Sequence, residues 1–142
     1  MAWIPKQKVV VPVDFSDLSF TAIDTALQLV AKPQDVVVVH VLQDLSPVEP
    51  GELWSTIEPE TRLRHAAQAL RERLEKEHHA DVSIDVRLGD PGHEIADLVL
   101  QEKADMIVLT SHGRTGIKRL LIGSVAERVI RLAHCPVLVL RS

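Results

Sequence analysis

The segment from Thr110 to Ser124, TSHGRTGIKRLLIGS, gathers residue types that bind anions. Glycines stand at 113, 116 and 123, hydroxyl or imidazole side chains at Thr110, Ser111, His112 and Thr115, and cations at Arg114, Lys118 and Arg119. Glycine lets backbone N–H groups approach a phosphate closely. A helical pattern begins at Ser124, and the unpaired N–H groups of a helix start, reinforced by its dipole, attract negative charge. Ser124 can add a hydroxyl. The same residues equally suit a plain turn, with Ser124 as N-cap of the capping box Ser124-Val125-Ala126-Glu127. Residue types alone weigh these two readings evenly. The spacing is neither that of a Walker A loop nor of the Gly-x-Gly-x-x-Gly dinucleotide fingerprint.

Other candidates point away from catalysis. His78-His79 resembles a metal pair, but adjacent residues do not share a helix face; a contact with the C-terminal helix dipole is the expectation. His40 reads as a strand residue and Cys135 as a small buried one. No Cys/His cluster has zinc spacing. Neither a Gly-x-Ser-x-Gly elbow nor paired carboxylates in one loop are present. Asp14 ends a strand pattern, where a carboxylate can meet a nucleotide or serve as a turn or cap residue before a helix.

These residues are placed by alternating elements. Strand-like runs cover Lys8 to Val13, Asp35 to Leu42, Val82 to Leu88, Met106 to Thr110 and Val137 to Leu140. The second and fourth are almost continuously apolar, as in a sheet covered on both faces. The third alternates, with Val82, Ile84, Val86 and Leu88 on one side, which suits an edge strand. Helical spacing links Leu18, Ile23 and Val30, then Leu63, Leu70 and Leu74, then Ile95 and Val99, then Val125, Val129 and Ala133. Ser16 and Asp90-Pro91 mark helix starts. The rhythm predicts one α/β domain over residues 1–142 with a parallel sheet and right-handed crossovers. In such sheets ligands sit beyond the carboxyl ends of the strands, here Asp14, Val41 and the segment from Thr110. The stretch Gln43 to Glu60, with Pro47, Pro50, Gly51 and Pro59, is long for a connection and is expected to be a lid or contact surface.

The chain has 142 residues, 16 Lys and Arg against 20 Asp and Glu, and a net charge of −4, which argues against a nucleic-acid binder. A single cysteine excludes an intramolecular disulfide. No signal-like leader or membrane-length apolar run is apparent, so a cytoplasmic protein is expected.

Gly113, nine residues, then Gly123-Ser124, followed by Val125-Ala126-Glu127-Arg128-Val129, resembles the universal stress protein family. So do the opening Val11-Pro12-Val13-Asp14-Phe15-Ser16, the strand end Val39-His40-Val41 and the closing His134-Cys135-Pro136-Val137-Leu138-Val139-Leu140. The resemblance implies an open five-stranded sheet of order 3-2-1-4-5 with helices on both faces, Rossmann-like and akin to the adenine nucleotide alpha hydrolases. It also implies ATP, with or without Mg²⁺ or Mn²⁺, bound in a stress-response switch or sensor; a nucleotide-free dimeric interaction protein of the same family and a slow ATPase are the alternative readings. Pro12, Val13, Asp14 and Val41 would line the adenosine, and Thr110, with Ser111 beside it, the ribose. His112, Gly113, Arg114, Gly123, Ser124 and Val125 would surround the phosphates. A homodimer through Val137–Leu140 is further implied. Thr110 departs from the family's pattern, which has glycine there. If that glycine serves closeness, threonine is tolerated; if it serves a positive φ, threonine is costly.

Overall fold

The structure is a computed structural model that describes residues 3–43, 58–111 and 123–141. Most of the stretch Gln43 to Glu60, and His112, Gly113, Arg114, Lys118 and Arg119, lie outside the described residues.

Five parallel strands, β1 (Val9–Pro12), β2 (Val36–Leu42), β3 (Ser83–Leu88), β4 (Met106–Thr110) and β5 (Val137–Leu140), form one sheet of order β3-β2-β1-β4-β5. Four helices accompany them: α1 (Asp17–Leu27), α2 (Pro59–Lys76), α3 (Pro91–Glu102) and α4 (Ser124–Leu132). Each expected element forms. Strand ends shift by one residue or so: a 3₁₀ turn, Pro33–Asp35, takes the expected start of β2, and Val82 precedes β3.

The triple valine of β1 shows why the sheet is central. Val9, Val10 and Val11 are all fully buried, as a strand flanked by two others and covered on both faces must be. Alternation sends Val9 and Val11 to one side with Phe20, Ile23, Leu70 and Leu74 of α1 and α2. Val10 goes to the other, with Ile95, Leu98, Val99 and Val129 of α3 and α4. Two apolar layers therefore sandwich the sheet. The outer strands β3 and β5 are only partly buried along their whole length, as edge positions dictate.

Helix starts follow local chemistry where the chain is free to obey it. Ser16 Oγ accepts from the Ser19 N–H at 3.2 Å, and an Asp90 carboxylate oxygen accepts from the His93 N–H at 3.1 Å, with Pro91 at the first helical position. The capping box expected at Ser124 does not form. Gly123 is the N-cap, its carbonyl accepting the first helical bond from Glu127 at 2.9 Å, and Ser124 is already helical. The shift has a long-range cause, because the Gly123 N–H donates to the Ser111 carbonyl at 2.8 Å. That bond anchors the residue before the helix to the end of β4.

The histidine pair is also corrected. His78 adopts a left-handed conformation (φ 61°) just after α2, and the His79 N–H returns to the Leu74 carbonyl at 2.8 Å, closing the helix by a backbone turn. His79 Nε2 lies 2.9 Å from Asp24 of α1, so it tethers two helices rather than meeting the helix dipole. Among the described residues no helix is long and apolar enough to cross a membrane.

Candidate functional site

The ends of β1, β2 and β4 and the start of α4 surround one cleft of ≈ 710 Å³. All nine expected site residues that fall among the described ones border it: Pro12, Val13 and Asp14 after β1, Val41 on β2, Thr110 and Ser111 after β4, and Gly123, Ser124 and Val125 at α4. The position is where a parallel sheet diverges around its central strands.

Asp14 sits on a tightly held turn. One of its carboxylate oxygens, Oδ1, accepts from the Ser16 N–H at 3.0 Å and from the Ser16 hydroxyl. Its own N–H donates to Ser19 Oγ at 3.2 Å. Burial works against its charge, but the hydrogen bonds from Ser16 and Ser19 outweigh burial and hold its pKa below the usual carboxylate value. The anion is therefore kept, with Oδ2 bonded to no described residue. Asp14 thus takes the turn role read from the sequence, bracing the helix start, and it also borders the cleft.

The next residue, Phe15, has φ of 67°, a region that a bulky side chain rarely occupies. Its ring stands edge-on to His40 (centroids 4.7 Å apart) and to Phe20 (6.1 Å). His40, expected only as a strand residue, is one, but its side chain also borders the cleft, and Nδ1 lies 2.9 Å from the Val13 carbonyl oxygen. A carbonyl only accepts, so Nδ1 carries the proton. Neither Phe15 nor His40 was assigned to the site from sequence. Their signal was their place beside Asp14 and Val41, which becomes meaningful only once two strand ends are adjacent.

Thr110 is the last residue of β4, in register with Leu140 of β5, and is not among the positive-φ residues. Threonine is at home in such extended backbone, so no glycine is required there for conformation. Ser111 is 4% exposed, and its Oγ has no hydrogen-bond partner among the described residues. The residue borders the cleft, while its hydroxyl oxygen is itself buried, an unpaired state that is uncommon for a buried polar atom. Gly123 is needed for closeness: a Cβ there would lie 2.9 Å from the Ser111 carbonyl oxygen. No side chain caps α4, so the N–H groups of Ser124, Val125 and Ala126 at its first turn are bonded to no described group.

Cys135 is half-buried against the α3–α4 layer, and burial first, then Asp105, pushes its thiol pKa up, the opposite of an activated nucleophile. Among the described residues no three His, Cys, Asp or Glu side chains are grouped to hold a metal ion.

A parallel sheet of this order, with helices on both faces and a cleft at the diverging strand ends, is of the open, Rossmann-like α/β class. The universal stress protein family model matches residues 6–141, and the chain belongs to that family. It is 36% identical to universal stress protein MJ0531 of Methanocaldococcus jannaschii over 140 residues, which cover 95% of this chain and 82% of that one. The solved structure of MJ0577, from the same organism, is 28% identical and superposes with a TM-score of 0.72, covering 96% of each chain. A universal stress protein in complex with cAMP shares the fold at a TM-score of 0.64 and 23% identity, covering 96% of this chain and 97% of that one.

Proposed function

We propose that this chain binds ATP in the cleft and works as a nucleotide-dependent stress-response switch or sensor. The observation that carries the reading is a pair of bare backbone sites bordering one cleft. At α4, the N–H groups of Ser124, Val125 and Ala126 have no partner among the described residues, and Gly123 adds no side chain of its own, which suits phosphate. At β2, the strand outruns β1. The last bond between them runs from the Val13 N–H to the Val39 carbonyl at 2.8 Å. Backbone groups alternate along a strand, so the next pair to face β1's side belongs to Val41. Neither its N–H nor its C=O is bonded to a described residue.

An N–H beside a C=O matches the edge of adenine, which offers the N1 acceptor and the N6 donor. Guanine presents the reverse order. Asp14 Oδ2 suits ribose hydroxyls, and Ser111 is another residue that borders the cleft. A Mg²⁺ or Mn²⁺ ion arriving with the nucleotide would be held chiefly by the phosphates and would serve to neutralise their charge. A protein of the same fold is in complex with cAMP, itself an adenine nucleotide.

Calorimetric titration tests the reading. ATP is expected to bind at micromolar strength and GTP at least about tenfold more weakly, since each mismatched pair leaves a polar group unsatisfied. Equal affinities, or no heat with ATP at millimolar concentration, would reject it.

The partner expectation is carried as a proposal as well: a homodimer through β5. In β5 the backbone groups of Leu138 and Leu140 face β4, while those of Val137 and Val139 face outward on an edge that no described strand pairs with. Ile130 of α4, 41% exposed, adds apolar surface on the neighbouring helix. Light scattering at micromolar concentration should give twice the 15.8 kDa chain mass. Val139→Pro, which removes an outward donor and spares the β4 ladder, should return the monomer. A monomeric wild type would exclude this interface.

A further inference from the structure

In a parallel ladder the bond after Val13 N–H to Val39 C=O would run from the Val41 N–H back to the Val13 carbonyl. That bond is not made. The Val13 carbonyl accepts from His40 Nδ1 instead, at 2.9 Å. A side chain from β2 has taken the acceptor that β2's own backbone would use one residue later.

The competition is local and well braced. His40 points to the α1–α2 side of the sheet, as Val36 and Val38 do, and Phe15 stands edge-on against its ring at 4.7 Å. Phe15 in turn rests on Phe20, which is buried under α1. After Val13 the chain turns out of the sheet: the Asp14 N–H goes to Ser19 Oγ and Phe15 enters the left-handed region. The Val13 carbonyl is thus tilted towards the imidazole at the point where β1 stops. A buried acceptor needs one partner, and once His40 supplies it nothing draws Val41 into the ladder.

We infer that His40 is a positioning residue that ends the β1–β2 ladder one bond early and so keeps the Val41 N–H free to read a ligand. The inference about the backbone stands on the unliganded chain. Its consequence for nucleotide affinity rests on the adenine reading above. Without the imidazole, ladder geometry makes the Val41 N–H the next backbone donor for the Val13 carbonyl, and that bond would seal the edge that the base would occupy.

Two substitutions separate the ring from its proton. His40→Phe keeps an aromatic ring against Phe15 and removes the donor. His40→Asn removes the ring but carries an amide nitrogen at the same number of bonds from Cβ as Nδ1. Amide hydrogen exchange, read by NMR on the full unliganded chain, is the first measurement. In the wild type the Val39 amide, which lies in the ladder, should be protected and the Val41 amide should exchange at least about tenfold faster. His40→Phe should slow Val41 exchange about tenfold and weaken ATP binding about tenfold, the value of one hydrogen bond. His40→Asn should recover both. A Val41 amide as protected as Val39 in the wild type overturns the inference. So does a His40→Phe protein whose Val41 exchange is unchanged, or a His40→Asn protein that behaves as His40→Phe does. A wild type that shows the exchange pattern but binds no ATP keeps the inference about His40 and rejects the nucleotide reading.

Discussion

Gly123→Val should abolish high-affinity nucleotide binding, weakening ATP by about 100-fold or more in a calorimetric titration while the circular dichroism spectrum stays that of a folded α/β protein. The new Cβ would lie 2.9 Å from the Ser111 carbonyl oxygen, a backbone atom that cannot swing aside as a side-chain end would. Ser111 is held on both sides, donating its N–H to Leu140 and accepting from Gly123 itself at 2.8 Å. Relief therefore comes from moving the start of α4, whose N–H groups, unpaired among the described residues, are proposed to hold the phosphates. Charge-assisted hydrogen bonds contribute about 1.5–3 kcal/mol each, so misplacing two of them accounts for the expected loss. Retained micromolar binding in the folded variant would mean that the phosphates lie elsewhere.

Ile23→Ala should cost about 2–5 kcal/mol of folding stability, seen in urea as a midpoint lowered by about 1–2 M at unchanged slope. Ile23 has no exposed surface and packs from α1 onto the sheet in the layer that holds Val9, Val11 and Val36. Its neighbours include strands fixed by ladders on both sides, so the site collapses poorly and most of the cavity remains. Against a total stability of about 5–15 kcal/mol for a domain, the loss is a large fraction. Leu100→Ala, on a helix residue 57% exposed, is the control and should change little. A cost below about 1 kcal/mol at Ile23 would show that α1 re-seats itself against β1 and β4.

The two variants act on different layers of the molecule. Ile23 supports the platform, whereas Gly123 and Ser111 shape what stands on it. His40 joins the two, since its ring is packed with Phe15 beside the core while its Nδ1–H acts on the backbone at the cleft.

By itself the sequence determined the fold class, the number and order of elements, and which strand ends would border a cleft. Val9-Val10-Val11 and Val36 to Val39 can only be strands buried on both faces, and the alternation of Val82 to Leu88 marks an edge strand, because burial pattern and period are local properties. Ser16 and Asp90-Pro91 were readable as helix starts for the same reason: a cap acts over three residues. Nine of the expected site residues converge on one cleft because strand ends in a parallel sheet all open on the same side.

Tertiary structure decided what depends on groups distant in the chain. Ser124 has the residue types of a capping box, yet the Gly123–Ser111 bond moves the cap back by one residue. The cost of Thr110 turned on its φ, which its pairing with β5 sets in the extended range. His79 was drawn to Asp24 of another helix rather than to its own. The His40 contact links residues 27 positions apart, where one strand outruns another. Local propensities cannot report how far two strands run side by side, because that length is set by how the helices between them pack.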